Sequence, residues 1–202
     1  MEVYPAADRN KHVIFEQLAP LFQSASHVLE VCSGTGQHIT YFASRFPDVI
    51  FHPTELDTNL FNSIQAYINH AQLSNVHSPQ RLDVRVAQDW KALDCPRCQV
   101  VVTTNLLHIS PWEATVGLFT GAANLLVPHG HLCIYGAFKK DGQFTTVSNQ
   151  KFDASLRRSD SSWGLRDIHD VAQVASTKGF QLVKTVDMPA NNFMLFFRKE
   201  SE

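Results

Sequence analysis

The sequence predicts an α/β fold in which a mostly parallel sheet lies between two helical layers. Three observations predict it. Short apolar runs alternate with segments of helical periodicity along the 202-residue chain, the pattern of a parallel sheet whose crossovers are helices. The first apolar run opens into a glycine-bearing turn and then a helix. The last two apolar runs are separated only by Met188-Pro189-Ala190-Asn191-Asn192. That link is too short for a parallel crossover, so these two strands pair antiparallel.

In chain order, residues 11–22 place Val13, Ile14, Leu18 and Leu21 on one helical face. Residues 27–32 are the first strand. Residues 36–46 follow as a helix carrying Ile39, Phe42, Ala43 and Phe46, and residues 49–51 make the second strand. Residues 58–73 stripe Leu60, Ile64, Tyr67, Ile68 and Ala71, with Asp57 or Thr58 as N-cap. Residues 80–84 and 99–104 are strands. Residues 111–127 are a helix with Pro111 at its start. A strand at 130–138, a helix at 167–178 ended by Gly179, and strands at 180–187 and 193–199 complete the order. Seven strands result, the last running antiparallel. This Rossmann-like arrangement is the class I methyltransferase pattern, whereas a plain dinucleotide dehydrogenase does not predict the two-strand ending.

Length suits one domain with one sizeable core, so residues 1–202 are read as a single domain. There are 17 Lys+Arg against 19 Asp+Glu, a net charge of −2. A general nucleic-acid binder needs a basic surface to displace counterions, so that class is disfavoured. Residues 1–9 lack the apolar stretch of a signal peptide. No apolar run reaches the ~18–20 residues of a membrane helix. The four cysteines, Cys32, Cys95, Cys98 and Cys133, are too few and scattered for a disulfide framework, so a reduced, cytoplasmic protein is expected. Cys95-Pro-Arg-Cys98 is a CxxC in a turn before a strand. It lacks both the second pair of a zinc site and the following helix of a thioredoxin-like site, so it is read as structurally inert. No His/Cys/Asp cluster has metal-ligand spacing, and no metal is expected.

Four places carry chemistry. In Glu30-Val31-Cys32-Ser33-Gly34-Thr35-Gly36 two glycines follow a strand and open a helix. Such a loop lets a ligand approach the backbone, and its amides favour a carboxylate or phosphate. Ile39 stands where the GxGxxG fingerprint has its third glycine, and Glu30 could take the amino group of a zwitterion. Both features favour an amino-acid-bearing cofactor over a pyrophosphate. The plain alternative is an ordinary tight turn. Glu55 lies 19 residues after Gly36, where Rossmann-like folds place the carboxylate that accepts ribose hydroxyls; alternatively it is a solvated acidic turn. Asp83 and Val84 end the third strand, in place for an adenine amino group and ring nitrogen, or simply as a surface terminus. Asn105 and His108 follow the fourth strand, beside the topological switch point where open α/β sheets bind ligands. His108 is either a general base or a residue that shapes the pocket.

With these residues in place, the chain resembles the methyltransferase-like protein 26 family over nearly its whole length. The resemblance rests on Ala7-Asp8-Arg9-Asn10-Lys11, on Leu29 to His38, on Leu82-Asp83-Val84, and on Asn105 with His108-Ile109-Ser110-Pro111. It continues through Tyr135-Gly136, Ser148-Asn149, Phe152-Asp153, Leu156-Arg157, Trp163-Gly164-Leu165-Arg166-Asp167 and Asp187 to Asn192. It implies a class I fold that binds S-adenosylmethionine and yields S-adenosylhomocysteine. Cys32 stands where the broader superfamily commonly has glycine, and Glu55 where relatives often have aspartate. The resemblance supplies no acceptor; the reaction expected is methyl transfer to an O, N or S atom of a small molecule. A non-catalytic S-adenosylmethionine-binding regulator is the alternative, and an NAD oxidoreductase the disfavoured third. The oligomeric state stays open.

Residues 139–167 are long for a strand-to-helix connection, where about 2–6 residues is typical. Phe144, Phe152, Leu156, Trp163 and Leu165 give this stretch apolar anchors. It is read as a lid that forms much of the acceptor site. Asn149, Phe152 and Arg157 are expected to line that site together with Tyr135, with Arg9 and Asn10 closing it from the N-terminal side. The polar mix suggests a small polar or anionic acceptor. The plain alternative pairs these arginines with Asp153, Asp160 and Asp167.

Overall fold

The computed structural model describes residues 1–201. Five strands, β1 (His27–Val31), β2 (Ile50–Glu55), β3 (Gln80–Arg81), β4 (Cys98–Thr104) and β5 (Leu126–Gly136), alternate with five helices. These are α1 (Pro5–Phe22), α2 (Gln37–Ala43), α3 (Phe61–His70), α4 (Ala87–Ala92) and α5 (Trp112–Leu125). Then come β6 (Phe138–Lys140), β7 (Gln143–Phe144), α6 (Val147–Ser159), β8 (Arg166–Asp167), α7 (Ile168–Thr177), β9 (Phe180–Met188) and β10 (Asn192–Lys199). The main sheet has seven strands in the order β3-β2-β1-β4-β5-β10-β9. β10 is antiparallel to both β5 and β9, while β1, β2, β3, β4 and β5 pair in parallel. The chain order reverses between β1 and β4, so the switch point lies between their C-terminal ends.

The sheet is apolar on both faces because side chains alternate along each strand. On one face Val28, Val100, Val102, Cys133, Met194 and Phe196 pack against Ile14, Leu18 and Phe22 of α1 and Ile39 and Phe42 of α2. On the other, Leu29, Val101, Leu132, Ile134, Leu195 and Phe197 meet Leu118 and Phe119 of α5 and Val171 and Ala175 of α7. Phe119 sits edge-on to Phe197 at 5.0 Å and to Phe180 at 5.6 Å. Asn75 closes the turn after α2 by donating from Nδ2 to the Ala43, Phe46 and Val49 carbonyls. Asp57 caps the turn before α3, accepting from Asn59 N–H at 3.0 Å. Among the described residues, no helix is long and apolar enough to cross a membrane.

Several elements depart from the sequence expectation. α1 begins at Pro5 and not at residue 11, with proline in the first helical turn. The third strand is only two residues long, because Asp83 N–H bonds the Asp89 carboxylate and not a neighbouring strand. Residues 130–138 are divided between β5 and β6. Residues 139–167 are ordered rather than loop: β6, β7 and β8 make a three-stranded sheet in the order β7-β6-β8, and α6 fills the middle. Ala137, Leu156 and Leu165, with Phe144 and Trp163, form a small core of their own beneath α6. The apolar anchors read from the sequence are thus used, except Phe152, which is exposed.

Phe119 tests the packing between α5 and the sheet. Phe119→Ala removes a fully buried ring at the junction of α5, β9 and β10. It is expected to lower unfolding free energy by about 3–5 kcal/mol. Urea titration followed by circular dichroism checks this, and a loss below about 1 kcal/mol would mean that the junction is not packed as described.

Candidate active site

β1 ends at Val31, and the chain then turns through three left-handed residues: Cys32 (φ 62°), Gly34 (φ 54°) and Gly36 (φ 95°). A Cβ on Gly36 would stand 2.9 Å from the Ile64 backbone, so only glycine lets α2 start this close to α3. Cys32 adopts the same region without glycine's freedom, as does Asn105 (φ 61°) just past β4. Two strained residues therefore flank the switch point, where strain concentrates when the backbone is shaped for function. Ile39, at the position of a third glycine, is fully buried in the core.

Glu30 lies one residue before the end of β1 and is 2 % exposed. Its Oε2 has no hydrogen-bond partner, and neither has the buried Ser33 hydroxyl. Burial pushes the Glu30 carboxyl up to about 8, against a lowering by Ser33 and with a further rise from Glu55. A carboxylate left in such a place is costly unless a cation completes it. The cofactor amino group expected at Glu30 fits that requirement. Glu55 closes β2 and is held by three backbone donors: Gly34 N–H at 2.8 Å, Leu56 N–H at 2.8 Å and Asp57 N–H at 3.0 Å. Asp83 accepts from Arg85 Nε at 2.9 Å and Nη2 at 2.7 Å, and Arg85 beside it holds its carboxyl below the usual range.

Two cavities open at this end of the sheet. One, of about 600 Å³, is walled by Val31, Cys32, Glu55, Asp83, Val84 and Leu106, with Ile109, Pro111 and Trp163 among the apolar remainder. Its wall carries carboxylates at Glu55 and Asp83 with apolar surface between them. Glu30 and residues 33–36 do not line it. Tyr4 lies over the glycine loop, its ring within 4 Å of where a Gly34 side chain would begin, and its N–H bonds Gln37 Oε1 at 2.7 Å. The second cavity, of about 590 Å³, brings together Arg9, Asn10, Asn105, His108, Tyr135, Asn149 and Phe152. Asn105 was expected on the cofactor, and the structure places it on the wall of this second cavity.

Arg157, expected in the same site, is elsewhere. Its Nε donates to Asp153 Oδ2 at 2.8 Å, while Asp153 Oδ1 accepts Leu165 N–H at 2.7 Å. This brace ties α6 to the turn before β8, the plain role weighed for these arginines. Asp160 and Asp167 instead cap local turns, accepting from Ser162 N–H and His169 N–H. His108 is buried at the cavity wall, 5.4 Å edge-on from Phe152. Burial, reinforced by Arg166, lowers its ring to about 4, so it is neutral at physiological pH. Sequence reasoning missed Ala190 and Asn192, which also line this cavity. Ala190 and Asn191 are both left-handed (φ 60° and 59°). The Asn191 carbonyl receives Asn149 Nδ2 at 3.0 Å, which fastens α6 to the β9–β10 turn. The signal available was the Asn191-Asn192 pair, asparagine being the residue after glycine most at ease in this conformation.

Fold and strand ends together define the class I methyltransferase fold. Solved structures share it at low identity. An O-methyltransferase family protein from Burkholderia thailandensis superposes with TM-score 0.78 at 18% identity, covering 97% of this chain and 60% of that one. Human N-acetylserotonin methyltransferase, in complex with S-adenosylmethionine, gives 0.75 at 12%, covering 95% and 52%. A protein of Galdieria sulphuraria provisionally assigned as a sarcosine dimethylglycine methyltransferase gives 0.75 at 14%, covering 98% and 92%. The chain thus spans little more than half the length of the first two. It belongs to the family described as "Protein of unknown function (DUF938)", which it matches over residues 1–199.

The Glu30 environment makes a pH prediction. Its folded value of about 8 lies above the ordinary 4.5, so the folded chain keeps this proton longer than the unfolded chain. The stability it contributes is complete below 4.5 and is lost as pH rises through about 8. Glu30→Gln keeps the shape and removes the charge. Without cofactor, its melting temperature is expected to match the parent at low pH, to exceed it increasingly between about pH 4.5 and 8, and to keep a constant lead above that. A difference that does not change with pH contradicts an ionisable Glu30 in that environment.

Proposed function

We propose that this chain is an S-adenosylmethionine-dependent methyltransferase of the methyltransferase-like protein 26 type, acting on an O, N or S atom of a small-molecule acceptor. The observation that carries this reading is Glu30: a buried carboxylate with an unpartnered oxygen, at the end of β1 beside a left-handed glycine loop. A dinucleotide offers no cation there, whereas an amino-acid-bearing nucleoside does. In this reading Glu30 takes the ammonium group. In the loop of Cys32, Ser33, Gly34, Thr35 and Gly36, the Ser33, Gly34 and Gly36 amides hold the turn itself, and the unpartnered Ser33 hydroxyl takes the carboxylate. Glu55 takes the ribose hydroxyls, and Asp83 with Val84 the adenine edge. S-adenosylmethionine supplies a methyl group made electrophilic by its sulfonium, leaving S-adenosylhomocysteine.

The rest falls to this chain's own residues. The second cavity adjoins the switch point and orients the acceptor, with Asn10, Asn105 and Asn149 offering polar groups and Phe152 and Val13 apolar surface. Tyr135, its hydroxyl in contact with Asn10 and Asn192, forms the floor. His108 is uncharged and can accept the acceptor's proton at Nδ1 or Nε2. Residues 139–167 cover the site as a lid within the single domain 1–202, and they exclude water from it.

Three measurements test this reading. Titration calorimetry is expected to show S-adenosylmethionine and S-adenosylhomocysteine binding and NAD not; NAD binding more tightly than S-adenosylmethionine overturns it. Glu55→Ala is expected to weaken cofactor binding by about 10- to 100-fold, as loss of a charged hydrogen bond does. Unchanged affinity in a folded variant removes Glu55 from the ribose. Hydrogen exchange is expected to show residues 143–160 gaining protection when S-adenosylhomocysteine binds. No gain there ends the lid assignment.

A further inference from the structure

The CxxC lies apart from both cavities. Cys98 is the first residue of β4, at the N-terminal end of the sheet, and the cofactor cavity lies past the strands' C-terminal ends. The fold brings histidines to this CxxC that sequence spacing does not reveal. His27 opens β1, and His52 lies beside it on β2. Their rings meet through His27 Nδ1 and His52 Nε2 at 3.1 Å. The His77 ring lies tilted against His52, with ring centroids 4.4 Å apart. His52 is fully buried, and its other nitrogen, Nδ1, has no hydrogen-bond partner.

The two sulfurs are unlike. Cys98 is buried, whereas Cys95 is partly exposed and can be reached from solvent. Cys95 packs against the apolar cluster that contains Cys98. Cys98 and the His52 and His27 imidazoles pull the Cys95 thiol down against the opposing effect of burial, and the same pairing pushes Cys98 up. Cys32 and Cys133 are both pushed up by burial. While Cys95 keeps its proton, the Pro96 carbonyl oxygen at 3.3 Å can receive it.

We propose that Cys95 and Cys98 form a thiol–disulfide exchange site that takes a low-molecular-weight disulfide as its oxidant. Cys95 is the attacking thiolate and Cys98 the resolving thiol, an arrangement in which the exposed, proton-poor sulfur reacts first. The Cys95 sulfur bonds to one sulfur of the small disulfide. The disulfide bond breaks, and its electron pair leaves with the first small thiolate. Cys98 then loses its proton and attacks the Cys95 sulfur of the mixed disulfide. The Cys95–Cys98 bond forms and the second small thiolate departs. The protein dithiol is oxidised by two electrons, the small disulfide is reduced by two, and the two thiol protons end on the two released thiols.

The test uses the reduced, full-length protein with glutathione disulfide as probe, read by intact mass and peptide mapping. The parent is expected to lose the mass of two hydrogens, with Cys95 joined to Cys98. Cys98→Ser is expected to stop at a glutathione adduct on Cys95, and Cys95→Ser to give neither product. Alkylation of Cys95 by iodoacetamide is expected to hold its rate below neutral pH, where a free thiol slows about 10-fold per pH unit. An unchanged parent mass, an adduct on Cys32 or Cys133 instead, or a Cys95 alkylation rate that falls with pH like a free thiol overturns the proposal. Circular dichroism on each variant confirms that the chain under test is folded.

Discussion

The candidate site depends on a carboxylate buried in a sheet that otherwise buries apolar side chains. Glu30 sits between Leu29 and Val31, both in the core, and its Oε2 is left without a partner. Nothing in the packing of the sheet calls for a charge there; an apolar side chain of similar volume would serve the fold at least as well. A buried ionisable group kept in this state is a marker of function with a stated physical cause. The left-handed Cys32 shares that character, since a non-glycine residue there costs backbone strain to bring a loop across the end of β1.

The fold divides the labour around this point. β1, β2 and the residues after β3 supply Glu30, Glu55 and Asp83 along one side of the switch point. The residues after β4, the end of β5 and the β9–β10 turn supply Asn105, His108, Tyr135 and Asn192 along the other. Residues 139–167 attach to that second side through a few directional bonds. Asn149 reaches the Asn191 carbonyl, and Arg166 donates to the Leu107 and Ser110 carbonyls at 3.2 and 2.6 Å. Arg166 thereby pins the segment to the loop that carries His108, and its charge helps to keep that ring neutral. A segment fastened by a few polar bonds over a small core opens at lower cost than the main sheet.

Most of the sheet was legible because burial on both faces leaves unbroken apolar runs such as Val100-Val101-Val102, and because Gly34 and Gly36 mark the first turn. α6 was not legible as a helix. Its buried face carries Asn149, Asp153 and Leu156, so hydrophobic periodicity has almost nothing to report there. α4 is six residues long and buries none of them. Arg157 was misplaced for a related reason: composition shows that an arginine is present, not which carboxylate claims it, and Asp153 one helical turn earlier does so. Glu55, Asp83 and Asn105 were easier to place because each lies at or just past a strand end, where chain position fixes spatial position. The approach of His27 and His52 to the CxxC comes from strand register and is invisible to local spacing.

Glu30 also offers the most direct measurement. At about pH 6.5 it is protonated in the free protein, since its value lies at about 8, while an α-ammonium group of ordinary pKa is charged. Binding an ammonium there should therefore expel a proton. Calorimetric titration with S-adenosylmethionine in two buffers of different ionisation enthalpy, phosphate and imidazole, counts that proton. The account predicts a heat that differs between the two buffers in the parent protein and is the same in both for Glu30→Gln, which should also bind more weakly. A heat independent of buffer in the parent, or equal affinity in the two proteins, would contradict it.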